Sequence, residues 1–294
     1  MKVPTALVFG ASGQDGFYLS ELLRRKQITV VGVSRSGGDL IGSVGGAAFV
    51  ESLVKQHRPD YVFHLAATSS DRHGALFQNH ESISTGTLNI LEAVRTHSSG
   101  SRVFLCGSGL QFRNEGLPIN ETTEFAATSP YAVARIHSAY LGRYFRSAFG
   151  MNVYLGYLFN HDSPRRSAGF VNKVIVDAVS RIARGSSEKL AIGNLEVRKE
   201  FGFAGDTVEA IWHLVNQDSV HEAVIGTGEA HSLREWAQYC FGRIGRRLED
   251  HVVVKEGFTP SYQTLVSNPC VIRGIGWAPA VGFGELADMM MEQS

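Results

Sequence analysis

Several kinds of protein are excluded by what this sequence has little of. Its three cysteines, Cys106, Cys240 and Cys270, are odd in number and far apart, which argues against a disulfide framework or a cysteine-rich metal site. No apolar run approaches the roughly 20 residues that cross a bilayer; the stretch Ala6 to Phe9, with Val3 upstream, is far shorter. There is no excess charge either, since 28 Lys+Arg meet 28 Asp+Glu. A neutral chain lacks the broad basic field that drives binding to nucleic acid or anionic membrane. Any anionic ligand must therefore be held by a few placed cations. The eleven histidines include no HExxH-type pair, so no metal is expected. Together these absences predict a cytoplasmic protein without nucleic-acid or membrane partners.

What is present is a chain of 294 residues, 44% hydrophobic, with 32 glycines: enough for one large or two modest domains. The first half alternates short β-branched runs with helical periodicity, the pattern of a parallel sheet covered on both faces. Strands are predicted at 3–9, 28–34, 61–65, 102–106 and 152–158, and helices at 15–26, 47–56, 81–96 and 131–149. One strand-helix slot is cut down: between Val33 and Asp39 stand only Ser34-Arg35-Ser36-Gly37-Gly38, with no room for a helix and another strand. Beyond Asn160 the loops lengthen, with helices predicted near 170–184, 206–216, 232–244 and 283–291. The expected architecture is α/β: a Rossmann-type doubly wound parallel sheet in residues 1–160, then a smaller mixed α/β domain in 161–294, some segments of which return to the sheet.

Gly10-Ala11-Ser12-Gly13-Gln14-Asp15-Gly16 leaves a hydrophobic strand and enters a helix whose apolar side includes Phe17, Leu19, Leu22 and Leu23. Glycines at this spacing make a tight turn and let backbone approach a pyrophosphate, which the helix N-terminus attracts. Such a string alone is weak evidence; its place between first strand and first helix makes it a dinucleotide signal. At the end of the second strand an NAD site normally carries Asp or Glu, whereas this chain offers Ser34-Arg35-Ser36. Arg35 and Ser36 would suit the 2′-phosphate of NADP, with NAD the lesser choice; the plain alternative is a solvated arginine on a shortened loop.

Ser129-Pro130-Tyr131-Ala132-Val133-Ala134-Arg135 puts Tyr131 and Arg135 one helical turn apart, on one face of a helix begun by Pro130. A tyrosine used as acid or base near neutral pH needs phenolate favoured by about 1.4 kcal/mol per unit below ~10, which a nearby cation can supply.

At this point the sequence resembles the extended short-chain dehydrogenase/reductase family, and in particular the GDP-mannose 4,6-dehydratases and their GDP-sugar relatives. The matching stretches are Gly10 to Gly16, His64 to Ser69, Gly86 to Ala93, Ser129 to Ala134, Leu158 to Arg166, Gly193 to Glu196 and Asp206 to Trp212. Asn160-His161-Asp162-Ser163-Pro164-Arg165-Arg166 is the most specific of them. The resemblance implies a nucleotide-sugar substrate, a homodimer packed through the helices near 81–96 and 131–149, and NADP-mediated hydride removal from C4 of the hexose. In that chemistry the tyrosine takes the hydroxyl proton, a carboxylate then promotes loss of water, and the hydride returns. Relatives without the carboxylate act as 4-keto reductases or epimerases.

Carried over residue by residue, the resemblance gives Tyr131, Arg135 and Ser108 as catalytic. It gives Gly10, Ser12, Gly13, Gln14, Asp15, Gly16, Arg35, Ser36, Asp39, Leu65, Ala66 and Ala67, with Tyr131 and Arg135, to the cofactor. Ser69, Asn160 and Lys199 go to the substrate, and Arg165, Arg166, Lys173 and Arg198 are charge-matched stand-ins for a displaced diphosphate clamp. There are departures. Arg135 stands where the family has lysine, keeping the charge but unable to release a proton. The dehydratase glutamate falls on Leu110, or on Gly109 after a one-residue shift, and Glu115 is several residues away. A clamp arginine aligns with Lys199, with Arg198 one register away, and a second with Thr259. The clamp cations read equally well as surface charges. Cys106 and His64 are expected to be buried at strand ends, and Trp212, Trp236 and Trp277 to fill the C-terminal core.

Overall fold

Along Thr5–Phe9 (β1) alternate residues point to opposite faces, and both sets are apolar: Ala6 and Val8 on one, Leu7 and Phe9 on the other, all buried. A strand buried on both sides belongs inside a sheet covered by helices. In the computed structural model, which describes residues 3–292, that is where it lies.

The first half continues with α1 (Gln14–Arg25), β2 (Thr29–Ser34), β3 (Leu40–Ile41), α2 (Ala47–His57), β4 (Tyr61–His64), α3 (Leu76–Asn79), a π-helical stretch His80–Thr85, α4 (Gly86–His97), β5 (Arg102–Ser108), α5 (Pro130–Phe149) and β6 (Asn152–Leu158). The second half comprises β7 (His161–Asp162), α6 (Val171–Ala183), β8 (Leu190–Ile192), β9 (Arg198–Lys199), β10 (Gly202–Phe203), α7 (Ala204–Val215), β11 (Glu222–Ile225), β12 (His231–Ser232), α8 (Leu233–Arg243), β13 (Val252–Val254), β14 (Thr264–Leu265), α9 (Cys270–Gly274) and α10 (Phe283–Glu292). Seven strands form one parallel sheet in the order β3-β2-β1-β4-β5-β6-β11. One face carries α2, α4 and α5 over Leu7, Val50, Leu53, Ile90, Leu105 and Val153. The other carries α1, α7 and α9 over Val8, Leu19, Leu23, Phe104, Ile211 and Ile272. A third apolar cluster, around Ile175, Val179, Phe201, Trp236, Phe241 and Met290, joins α6, α8 and α10. No helix among the described residues is long and apolar enough to cross a membrane.

Two expectations are corrected. The shortened slot does hold a strand: Leu40 and Ile41 pair with Val33 and Ser34. Its helix is replaced by a turn in which Gly37 and Gly38 take φ of 77° and 91° and the Ser34 hydroxyl donates to the Gly37 carbonyl at 2.7 Å. Trp236 does fill the C-terminal core, but Trp277 and Trp212 pack on the α1 face of the sheet, Trp212 against Tyr61. Beyond these, β11 of the second half lies in the sheet as its seventh strand, at a position the periodicity did not mark. It is held by Glu222, whose carboxylate accepts from Arg143 (2.7 Å), Arg146 (2.6 Å) and the Tyr157 hydroxyl (2.7 Å).

Candidate active site

In an open parallel sheet, ligands enter at the carboxyl ends of the strands where the strand order reverses, here between β1 and β4. The β1–α1 turn stands there. Gly10 has φ 93°, and a Cβ on it would lie 2.7 Å from the Ala66 nitrogen; a Cβ on Gly16 would lie 2.2 Å from the Gly10 carbonyl oxygen. The turn is therefore packed directly on the segment following β4. A groove of ≈ 200 Å³ runs beside it, lined by Gly10, Ser12, Gly13, Arg35, Ser36, Leu65, Ala66 and Ala67. These glycines leave the backbone open to a dinucleotide, and Arg35 with Ser36 lines the groove just past the end of β2.

Sequence reasoning missed that the groove's other wall is Gln78, Glu81 and Ser82. They project from the π-helical stretch and the turn before it, a distortion often found beside functional sites. The Ser82 hydroxyl donates to Gln78 O at 2.6 Å and accepts from the Thr68 N–H at 3.3 Å, while the Ser43 hydroxyl bonds Glu81 at 3.0 Å. Asp39 does not line the groove; its carboxylate accepts from the Gly32 N–H at 2.7 Å. Gly16 is buried in the turn's own packing.

A larger cleft of ≈ 460 Å³ adjoins the groove, and Ser108, Tyr131, Arg135, Ser69, Asn160, Arg166 and Lys199 all line it. Ser129 caps α5 by accepting from the Ala132 N–H at 3.1 Å, and Pro130 opens the helix, so Tyr131 sits in its first turn. The Arg135 guanidinium lies 5.1 Å from the centre of the Tyr131 ring. It is 3% exposed, donates from Nη1 to the Cys106 carbonyl and leaves Nε buried without a partner. Ser108 ends β5; its Oγ accepts from the Leu110 N–H at 3.2 Å, which leaves its own O–H free to donate into the cleft. Leu110 is in the lining, whereas Glu115 is exposed and outside it. Burial pushes the Cys106 thiol up, against a nucleophilic role. Burial, reinforced by the Arg135 charge, pushes His64 down to about 3. It is a neutral core residue, as the sequence suggested.

The structure sorts the expected substrate cations. Along β9 the side chains alternate: Lys199 faces the cleft, 9% exposed, while Arg198 points outward to Glu235 at 3.3 Å. Burial lowers Lys199 to about 8, against the opposing pull of Asp162. Arg166 reaches the cleft, held by Asp162 at 3.0 Å with its guanidinium 3.6 Å above the Phe170 ring. Arg165 lies 3.8 Å over Phe17 and Lys173 pairs with Asp177 at 2.8 Å; neither lines the cleft. Arg165, Lys173 and Arg198 are thus not brought to the site. Phe258, Tyr262, Asn172 and Asn194, which sequence reasoning passed over, are in the lining. Gln14 and Asp15 turn toward the second half: the Ser163 hydroxyl donates to Gln14 Oε1 at 2.8 Å, and Asp15 pairs with His161 at 2.8 Å.

A doubly wound sheet with a glycine turn, a Ser–Tyr–Arg floor and a second half closing the cleft defines an enzyme of the extended short-chain dehydrogenase/reductase type. The profile of the GDP-mannose 4,6 dehydratase family matches residues 40–290, and the chain belongs to that family. It is 32% identical to GDP-mannose 4,6 dehydratase 1 of Arabidopsis thaliana, over 98% of this chain and 89% of that one. With the human GDP-mannose 4,6 dehydratase it shares 28%, over 97% and 90%. Among solved structures, the UDP-glucose 4-epimerase of Thermus thermophilus in complex with NAD shares the fold, with TM-score 0.84, 22% identity and 98% of each chain covered. So does RMD from Pseudomonas aeruginosa complexed with NADPH, with TM-score 0.87, 20% identity and 99% and 97% covered.

Proposed function

We propose that this protein transfers hydride at C4 of a nucleotide-linked hexose, a GDP-hexose, and works as a 4-keto reductase or epimerase rather than a 4,6-dehydratase. The carrying observation is the floor of the cleft, where Ser108, Tyr131 and Arg135 converge and Leu110 stands where the resemblance puts the dehydratase glutamate. The carboxylates in the lining are engaged elsewhere. Asp15 bonds His161, Asp162 bonds Arg166 and Asn172, and Asp71 accepts from Ser261 at the rim.

A bound nicotinamide dinucleotide would supply the hydride acceptor or donor. Tyr131 moves the proton of the C4 oxygen, Ser108 donates a hydrogen bond to that oxygen, and Arg135 contributes a fixed charge and no proton. Arg35 and Ser36 favour NADP over NAD, since the end of β2 carries no acid for the ribose hydroxyls. In this reading residues 1–160 form the dinucleotide half and 161–294 mainly the sugar-nucleotide half. Lys199 and Arg166 meet the diphosphate. Cys106, Cys240 and Cys270 are all free, which agrees with the cytoplasm.

Incubation with GDP-mannose and NADP, read by mass spectrometry, tests the reading: a product one water lighter overturns it. The expected result is either consumption of NADPH with a GDP-4-keto-hexose, as a reductase requires, or an isomer of unchanged mass with no net change in cofactor, as an epimerase requires. Tyr131→Phe should then lower kcat by ~10²- to 10⁴-fold.

A second reading, a non-catalytic binder of dinucleotide or nucleotide sugar, is favoured by one observation: Arg135 is bonded to the Cys106 carbonyl. Activity that is absent from the parent and created by Arg135→Lys would support it; steady hydride transfer abolished by Tyr131→Phe would exclude it. We also propose a homodimer through α4 and α5, whose Leu88, Val133, Tyr140 and Tyr144 are exposed. Sedimentation at micromolar concentration showing only monomer would count against it.

A further inference from the structure

The phosphate turn is tied to the second half of the chain through a histidine whose charge state the geometry specifies. His161 Nδ1 lies 2.7 Å from the Phe159 carbonyl oxygen and Nε2 lies 2.8 Å from Asp15 Oδ1. The carbonyl can only accept, and so can Asp15 as a carboxylate, whose pKa is lowered to about 2, so both ring nitrogens carry a proton and the ring is an imidazolium. Asp15 is the second residue of α1, in the turn whose free N–H groups and dipole draw a phosphate. Its side chain is 22% exposed and lines the cleft. An uncompensated carboxylate there would repel a diphosphate.

We propose that His161, as a cation paired to Asp15, cancels that carboxylate's charge and so sets the affinity of the turn for the diphosphate of a dinucleotide. The inference rests on the dinucleotide reading above. His161 acts through Asp15 and is a positioning residue.

The surroundings agree. Burial works against charge on both partners, yet their mutual attraction prevails: His161 is raised above its ordinary value and Asp15 is lowered to about 2. The other groups facing the pair are Arg166 and Asp162 of the same segment, Arg135 of α5, Cys106 of β5, Lys199 across the cleft and Asp206 of α7. Asp162 is engaged by Arg166 and Asn172, and Asp206 by the Ala280 and Val281 N–H groups. Because the folded state raises the His161 pKa, the cation is complete below about 6.5 and is lost as pH rises through the raised value. Dinucleotide affinity should fall in the same direction.

Calorimetric titration with NADP, at several pH values between about 6 and 9, tests this on the whole protein and on His161→Asn, Asp15→Asn and the double variant. The parent's Kd should rise roughly tenfold toward the alkaline end. His161→Asn should bind weakly throughout, and adding Asp15→Asn should restore most of the loss. A double variant as weak as His161→Asn, or a parent whose Kd ignores pH, would overturn the proposal while leaving the dinucleotide reading intact. A parent that binds no dinucleotide would remove both. Should His161→Asn fail to fold, Asp15→Asn alone decides: affinity at least as tight as the parent's at the alkaline end and insensitive to pH is expected, and a retained slope refutes the inference.

Discussion

Lys199 is where the balanced charge of the chain acquires a local consequence. Its ammonium stands buried at the cleft wall with Arg166 beyond it, and desolvation brings it to about 8. A cation whose pKa is lowered is complete below that value and disappears above it, so KM for the nucleotide sugar should rise above about pH 8 while kcat changes less. Lys199→Arg should flatten that rise, because guanidinium keeps its proton; Lys199→Ala should raise KM by ~10-fold or more at neutral pH. Steady-state kinetics across pH check both. At this scale part of the cleft lining was legible in the sequence. Tyr131 and the glycine turn stand out through their own neighbours, Ser108 only through the resemblance, and the structure places Tyr131 and Ser108 in one cleft beside the turn. His161 was seen only as part of a motif, since its partner Asp15 lies 146 residues away.

Elements were legible in proportion to their length. Helices of ten or more residues show their apolar stripe, and α5 advertises both ends, with Ser129-Pro130 at its start and Gly150 at φ 64° at its close. β3, at two residues, is too short to carry periodicity, and β11 has no flanking break like the Arg58-Pro59-Asp60 that precedes the equally short β4, so both emerged only in three dimensions. The π-helical stretch was hidden for another reason: its sequence reads as ordinary helix, and only the backbone shows the wider turn that presents Gln78, Glu81 and Ser82. The element most sensitive to a small change is the β1–α1 turn. Gly16→Ala would drive a methyl to 2.2 Å from the Gly10 carbonyl and 2.7 Å from the Ala11 Cα. Overpacking against backbone should cost ~1–3 kcal/mol. Denaturant titration would measure this, and dinucleotide binding should be lost with it.

For the whole molecule, the Glu222 cluster joins β11 to α5 and β6. Burial alone would raise the Glu222 pKa, but bonds from Arg143, Tyr157 and Arg146 prevail and bring it down to about 2. A carboxylate lowered in the folded state stabilises above its unfolded value and loses that contribution as pH falls toward the folded one. Stability should therefore decline between about pH 4.5 and 2, by something on the order of 3 kcal/mol. Glu222→Gln should be less stable at neutral pH and should show a shallower acid decline, read from denaturant midpoints. The same strand governs the order in which a growing chain can be completed. A chain that has reached only residue 160 contains β6 but not β11, so Leu155 and Tyr157 would lie on a bare sheet edge with unpaired N–H and C=O groups. Such an edge invites pairing with another chain. Synthesis must run past residue 225 before the edge is covered, and a fragment cut at the apparent boundary should aggregate where the full chain does not.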